Sequence, residues 1–420
     1  MDSNGAMENG QISMKFKSTV EDDDKTPKQH GSEVIPGSKQ GGVVNVIVSG
    51  LALFSDGYNA QIIGYMEPLF SVLYKDGMSS MIKTRLSNSY LIGEIFGMLF
   101  FGVLIDRRGF LVAITTDFAV DLDFVAAGIV SLIVLACFQQ EVKGGVWRVS
   151  FIIGIVLPIL IFFLRIRMVN STQYRKHAIK SKYPYMLVLK RYWKPMLGTS
   201  LAWFCYDFIS YPFGIFSSTI ISQLGPDNTT VQNIGFGTVV NCFYLPGCIV
   251  GGLLMDRIGR KQNMTLGFML CAVWGFILGG ALRPIQSVFP LFVVMYGIFN
   301  AFQEMGPGVS TFLCASESFP TPLRGHFMGL AAAVGKAGAA IGTEVFTPIQ
   351  NSFDSTFKGQ QAVFLIGSGF AVLGGLCSWF LIPDMSRELE TEDARFKAYL
   401  EENGYDISHY GEALLVERRN

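Results

Sequence analysis

From Gly42 onward the chain repeats one pattern: a long run of apolar positions, then a short polar break. At 1.5 Å per helical residue, about 20 such residues cross a hydrocarbon core ~30 Å thick, so each run predicts a membrane-spanning helix. Ten runs are legible, at 43–63, 88–106, 110–138, 148–167, 196–221, 234–255, 264–282, 288–314, 325–348 and 361–383. Residues 1–41 are rich in Asp, Lys, Ser and Gly and nearly free of aromatics, too polar to offset the entropy of ordering, which predicts a disordered tail. With no basic and apolar leader at the start, the first span is expected to serve as the insertion signal. The predicted class is all-α, a polytopic helical membrane bundle. It divides into the tail 1–41, four spans over 42–167, a basic loop over 168–194, six spans over 195–383 and a second tail over 384–420.

Composition agrees with lipid. Of 420 residues 50% are apolar and 16% charged, below the roughly one quarter usual for soluble domains. The 35 Phe and 46 Gly suit helices that pack closely within a bilayer. With 33 basic against 33 acidic residues the net charge is zero, which argues against nucleic acid as a partner. The seven cysteines lie in apolar stretches without paired spacing, the four histidines are scattered, and no metalloprotease, nucleophile-elbow or Walker pattern occurs. The expectation is a protein that is not an enzyme and carries no metal or other cofactor.

Charge placement sets topology. Between Arg165 and Lys194 lie nine Lys or Arg residues and no acidic residue, so this loop is expected on the cytoplasmic side. Alternation of spans then puts both termini, 256–261 and Arg324 inside as well, and the sequon at Asn228 outside, where glycans are added. The sequons at Asn170 and Asn263 fall inside and are expected to be silent. The implied location is the plasma membrane.

A repeat flanks the basic loop: GVLIDRRG from Gly102 to Gly109 and GLLMDRIGRK from Gly252 to Lys261, each closing the second span of its half. This resembles the signature loop of the major facilitator superfamily. There the Asp and Arg (here Asp106, Arg107, Asp256, Arg257 and Arg260) lock helix ends, and glycines (Gly109, Gly259) allow the turn. Two copies at matched positions indicate parallel repeats. The segments MGPGVSTFLCASESFPTPLRGHFMGLAAAVGKAGAAIG (305–342), WFCYDFISYPFG (203–214) and FSDGYNA (54–60) resemble the phosphate:proton symporter branch, and within it the fungal glycerophosphodiester transporters. The likeness covers Gly42 to about residue 405. Such transporters have twelve spans, whereas four are legible before the basic loop. After Asp106 and Arg107 the sequence passes into RRGFLVAITTDFAVD, which resembles the start of the family's fifth span. The resemblance therefore implies that helices 3 and 4, roughly eighty residues, are absent. Losing an even number of spans leaves the rest in their original orientation but exposes faces shaped for absent neighbours.

An ionisable side chain inside a bilayer costs a few kcal/mol or more and normally faces a cavity or a partner. Trp203, Asp207 and Tyr211, spaced i, i+4, i+8, share one helical face. By resemblance they line the phosphate site, and Asp56 takes the coupling proton, a role Asp207 can share. Lys336 lies in the small, apolar run 331–340. The family places a lysine there to neutralise the substrate's phosphate, the alternative being a structural ion pair with Asp207 or Glu304. Gly308 follows Gly306 and Pro307 where the inorganic phosphate carriers have Asn, which implies room for a bulkier phosphodiester. Asp117 and Asp121, with Asp123 nearby, either line the cavity or lie solvated near a helix end. Glu94, Glu304 and Glu344 are candidates for bonds across helices.

The function these readings imply is proton-coupled import of glycerophosphodiesters, glycerophosphoinositol or glycerophosphocholine, by a monomer embedded in the bilayer. The alternatives are an inorganic phosphate symporter or a truncated, non-transporting isoform or sensor.

Overall fold

The computed structural model describes residues 57–74, 77–102, 110–165, 184–225, 227–384 and 389–407. Among these, every regular element is helical. In order they are α1 (57–73), α2 (Ser80–Gly102), α3 (Phe110–Cys137), α4 (Gly144–Arg165), α5 (Tyr185–Ile215), α6 (Ser217–Leu224), α7 (Thr230–Cys242), α8 (Tyr244–Ile258), α9 (Arg260–Gly280), α10 (Leu282–Gln286), α11 (Phe289–Gln303), α12 (Val309–Glu317), α13 (Arg324–Asn351), α14 (Thr356–Leu381) and α15 (Leu389–Glu402). A π turn, Glu304–Gly308, joins α11 to α12.

Local chemistry fixes the boundaries. Thr229 caps α7 in a reciprocal box: its hydroxyl accepts from the Gln232 amide at 3.3 Å, and the Gln232 side chain accepts from the Thr229 amide at 2.8 Å. Ser355 caps α14 through the Lys358 amide. Between α8 and α9 the chain turns at Gly259, whose φ of 94° suits glycine alone, in the second signature loop.

Three predicted spans are broken where proline interrupts them. Pro212 and Pro246 lack the amide that would continue the ladder, and the chain breaks at Phe216 between α5 and α6 and at Phe243 between α7 and α8. Pro307 lies within the π turn. Several boundaries differ from the sequence reading, among them the start of α2, at Ser80 rather than 88. Helix α5 starts at Tyr185, so the end of the basic loop is helical, with a kink at Tyr192 just before Pro195. The first helix runs on to residue 73, past Glu67, which the apolar-run reading left outside.

Thr230–Ile258, Arg260–Gly280 and Thr356–Leu381 are long and apolar enough to cross a membrane by length and composition. Their outward faces carry exposed Val250, Leu253, Val273, Ile277, Leu373 and Phe380, while glycine, serine and asparagine turn inward. That inversion of the soluble pattern is expected when the solvent is lipid.

Inside, α13 packs against α5 and α2, α14 against α9 and α5, and α3 against α7 and α8. The α5–α13 crossing is close because Gly338 and Gly342 present bare backbone to the main chain at Phe204 and Phe208. Phe213 is an aromatic hub, with the rings of Phe364, Phe299, Phe346 and Tyr296 at 4.8, 5.1, 5.6 and 6.0 Å. Such contacts contribute beyond their buried area.

Part of the predicted C-terminal tail is the docked helix α15. Phe396 and Leu400 are buried against Val188, Tyr192, Phe319 and Leu323. Asp393 accepts from the Thr321 amide at 2.8 Å, and Glu392 pairs with Arg191 at 2.9 Å. Burial alone would raise the Glu392 carboxyl, but the bonds from Tyr192 and Arg191 outweigh it and hold it below its ordinary range.

Candidate functional site

The face predicted on α5 is real and turned inward: Trp203, Asp207 and Tyr211 are all buried. Lys336 reaches them from α13 and is 7% exposed. Its Nζ donates to the Tyr211 hydroxyl, lies 4.0 Å from the centroid of that ring, and stands 4.0 Å from Asp207 Oδ2. Glu94 of α2, 9% exposed, brings its Oε2 to 3.5 Å from the same ammonium. Phe312 packs edge-on against the Trp203 ring at 4.7 Å, and Gly335 lies against the indole.

One ammonium thus serves two carboxylates. At these separations each attraction is worth about 4 kcal/mol at an effective dielectric constant near 20, while desolvation costs several kcal/mol per ion. The pairing is therefore poor as a stability device, which makes the cluster a candidate site rather than a structural brace. With both carboxylates ionised the cluster carries one net negative charge, so an anion can replace them at Lys336 only if a proton or a rearrangement lifts that charge.

A second cluster adjoins the first. Tyr206, next to Asp207 in the chain, donates to the Glu304 carboxylate in the π turn. Gly308 lies beneath them. A Cβ there would collide with the Glu304 carboxylate and stand 3.2 Å from the Tyr206 hydroxyl. The room that the sequence reading assigns to the missing Asn amide is occupied by Glu304. The turn is anchored by Asn263, which donates to the Met305 carbonyl at 2.9 Å and to Ser310 at 3.1 Å.

A polar seam continues from Glu94 along α2 and α13. Asn88 donates to Glu344, and Thr84 meets Thr347 at 3.4 Å. Beside it Glu67 of α1, 2% exposed, accepts from Ser87 at 3.3 Å and from Thr219 at 3.4 Å. Neither Glu67 nor Tyr206 emerges from the sequence reading. The signal for Glu67 was an acidic residue just beyond an apolar run, and for Tyr206 a hydroxyl neighbouring Asp207 on α5.

The other sequence candidates fall differently. Asp56, Asp106, Arg107 and Gly109 lie outside the described residues, as do the side chains of Asp117, Asp121 and Asp123. Gly102 ends α2 and Gly252 is buried in α8. Asp256 and Arg257 are exposed, and the ion pair at this loop is made by Arg260, 3.0 Å from Glu317. The Asn228 Nδ2, the atom a glycan would join, is buried beneath its loop. Among the described residues no group of His, Cys, Asp or Glu is placed to hold a metal ion.

Buried, oppositely charged side chains contributed by several inward-facing helices are the arrangement of a polytopic helical transporter. The family model for the sugar (and other) transporters matches residues 171–394, and the chain belongs to that family. It is 31% identical to glycerophosphoinositol permease 1 of Candida albicans over 465 aligned positions, covering 93% of this chain and 89% of the permease. It is 36% identical to a glycerophosphocholine permease of the same organism over 72% of this chain, and spans 58% of that relative's length. The crystal structure of a D-xylose–proton symporter superposes with a TM-score of 0.63 over 82% of this chain and 98% of its own, at 15% identity, which shows a shared fold.

Proposed function

We propose that this chain is a proton-coupled secondary transporter that imports glycerophosphodiesters, glycerophosphoinositol or glycerophosphocholine, across the plasma membrane with both termini cytoplasmic. The observation that carries this reading is Lys336, buried among Asp207, Tyr211 and Glu94 at the junction of α13, α5 and α2. A phosphodiester bears one negative charge and is a natural counter-ion for an ammonium whose resident carboxylate has taken up a proton. Asp207 is in place to hold that proton, and Asp56 is the second carrier in this reading. Loading and release alternate as the helices rock about the site, exposing it to each side in turn. The similarity to two diester permeases supports the substrate class.

Ten spans, with helices 3 and 4 absent, remain part of this reading. Its support is that alignment with the glycerophosphoinositol permease runs to 465 positions, more than the 420 residues of this chain. The same observation favours a second reading, a non-transporting isoform that still binds the diester.

Uptake of labelled glycerophosphoinositol by cells expressing the chain separates the two. Transport is expected to rise as external pH falls, to collapse with a protonophore and to vanish in Lys336→Ala. Binding by the purified protein without uptake would select the non-transporting form, and orthophosphate taken up faster than either diester would overturn the substrate assignment.

A further inference from the structure

We infer that Glu304 sets specificity at this site: its carboxylate accepts hydrogen bonds from hydroxyls of the alcohol esterified to the phosphate, selecting polyol phosphodiesters over orthophosphate. This rests on the reading of the Lys336 cluster as the phosphate site.

Glu304 is 2% exposed, and Tyr206, whose hydroxyl it accepts, packs against the cluster that holds Trp203, Ala315, Ala331 and Ala332, one residue before Asp207 on α5. A buried carboxylate repels phosphate, so toward an anionic cargo it is useful only to the uncharged part. There a carboxylate is a strong double acceptor, well matched to adjacent hydroxyls of a glycerol or cyclitol. The bond from Tyr206 is of the same kind, so a cargo hydroxyl can take its place without leaving the carboxylate dry.

Backbone placement supports the same role. The carboxylate sits on a π turn, a geometry frequent at functional sites. It occupies space that any side chain at 308 would claim, so Gly308 is what lets Glu304 lie there. A trimethylammonium group is the other cargo a carboxylate could attract, but it calls for open aromatic faces. Phe312 and Gly335 pack against the Trp203 ring.

The test measures affinities of the purified full chain for glycerophosphoinositol, glycerophosphocholine and orthophosphate by competition. Glu304→Ala is expected to weaken glycerophosphoinositol about tenfold or more, while orthophosphate stays within about twofold. Gly308→Ala is expected to give the same shift, because its methyl displaces the flexible end of Glu304 rather than backbone; it also decides the matter if Glu304→Ala does not fold. Glu304→Gln, which keeps an acceptor and removes the charge, is expected to cost glycerophosphoinositol only about threefold. An unchanged diester-to-phosphate ratio in both alanine variants would overturn the inference and leave the Lys336 site intact. So would a larger loss for glycerophosphocholine than for glycerophosphoinositol in Glu304→Gln, the mark of a carboxylate reading a cation. Wild-type protein that binds no diester would remove the underlying reading, and this one with it.

Discussion

The interior around Phe213 is buried and the seam between α2 and α13 only partly so, with Glu344 exposed, and the two are built from opposite materials. Around Phe213, four aromatic rings and close glycine-to-backbone crossings give contacts that only other protein atoms can replace. Along the seam, Asn88–Glu344, Thr84–Thr347 and Glu94–Lys336 are hydrogen bonds and an ion pair, which water can exchange for its own. Helices α5, α11, α13 and α14 are thereby expected to move as one body, and the α2–α13 seam to part when the site opens.

Four substitutions press on that contrast. Lys336→Ala leaves Asp207 and Glu94 buried without their cation, and complete loss of diester uptake is expected with the protein still in the membrane, scored by uptake beside surface labelling. Phe213→Ala removes the hub ring and should destabilise by about 3–5 kcal/mol, read as a lowered melting temperature in detergent. Asn88→Ala cuts a replaceable bond; melting should shift by no more than the equivalent of about 1–3 kcal/mol, while cysteines placed across the seam cross-link more slowly than in the parent. A melting loss equal to that of Phe213→Ala would erase the distinction. The smallest effect belongs to Glu392→Gln, at most about 1 kcal/mol, since Glu392 and Arg191 lie near the surface. The native Glu392 carboxyl is held below its ordinary range, so its contribution is full at neutral pH and fades as pH falls through that lowered value. Protection of the α15 amides, corrected for the intrinsic exchange rate at each pH, should therefore fall on acidification in the parent and stay constant in Glu392→Gln.

Much of the site is legible in the sequence because it obeys local periodicity. Trp203, Asp207 and Tyr211 announce a shared face by spacing alone, Lys336 stands out against its small neighbours, and Gly259 marks a turn that needs positive φ. What was not legible depends on pairings between distant parts of the chain. Glu94 as a partner of Lys336 requires knowing that α2 lies on α13, and nothing in either segment says so. An apolar run stops short of Glu67 because polarity ends it, whereas the helix ends where its packing ends. Glu304 and Gly308 both stand out in the sequence, but that one fills the space of the other is a fact about a π turn, which apolar periodicity does not encode. Helix α15 was missed because a polar composition reads as tail until Phe396 and Leu400 find the surface that buries them.

The π turn also bears on how substitutions along this segment are to be compared. It holds one residue more than an α turn, and each residue of an α-helix advances the chain by about 100°. A helical wheel drawn through residues 289–317 as a single rod is consequently out of phase beyond Gly308 by that angle. Positions in α11 and α12 that such a wheel stacks in one column point in different directions, and scanning mutagenesis here has to be indexed separately on each side of Pro307.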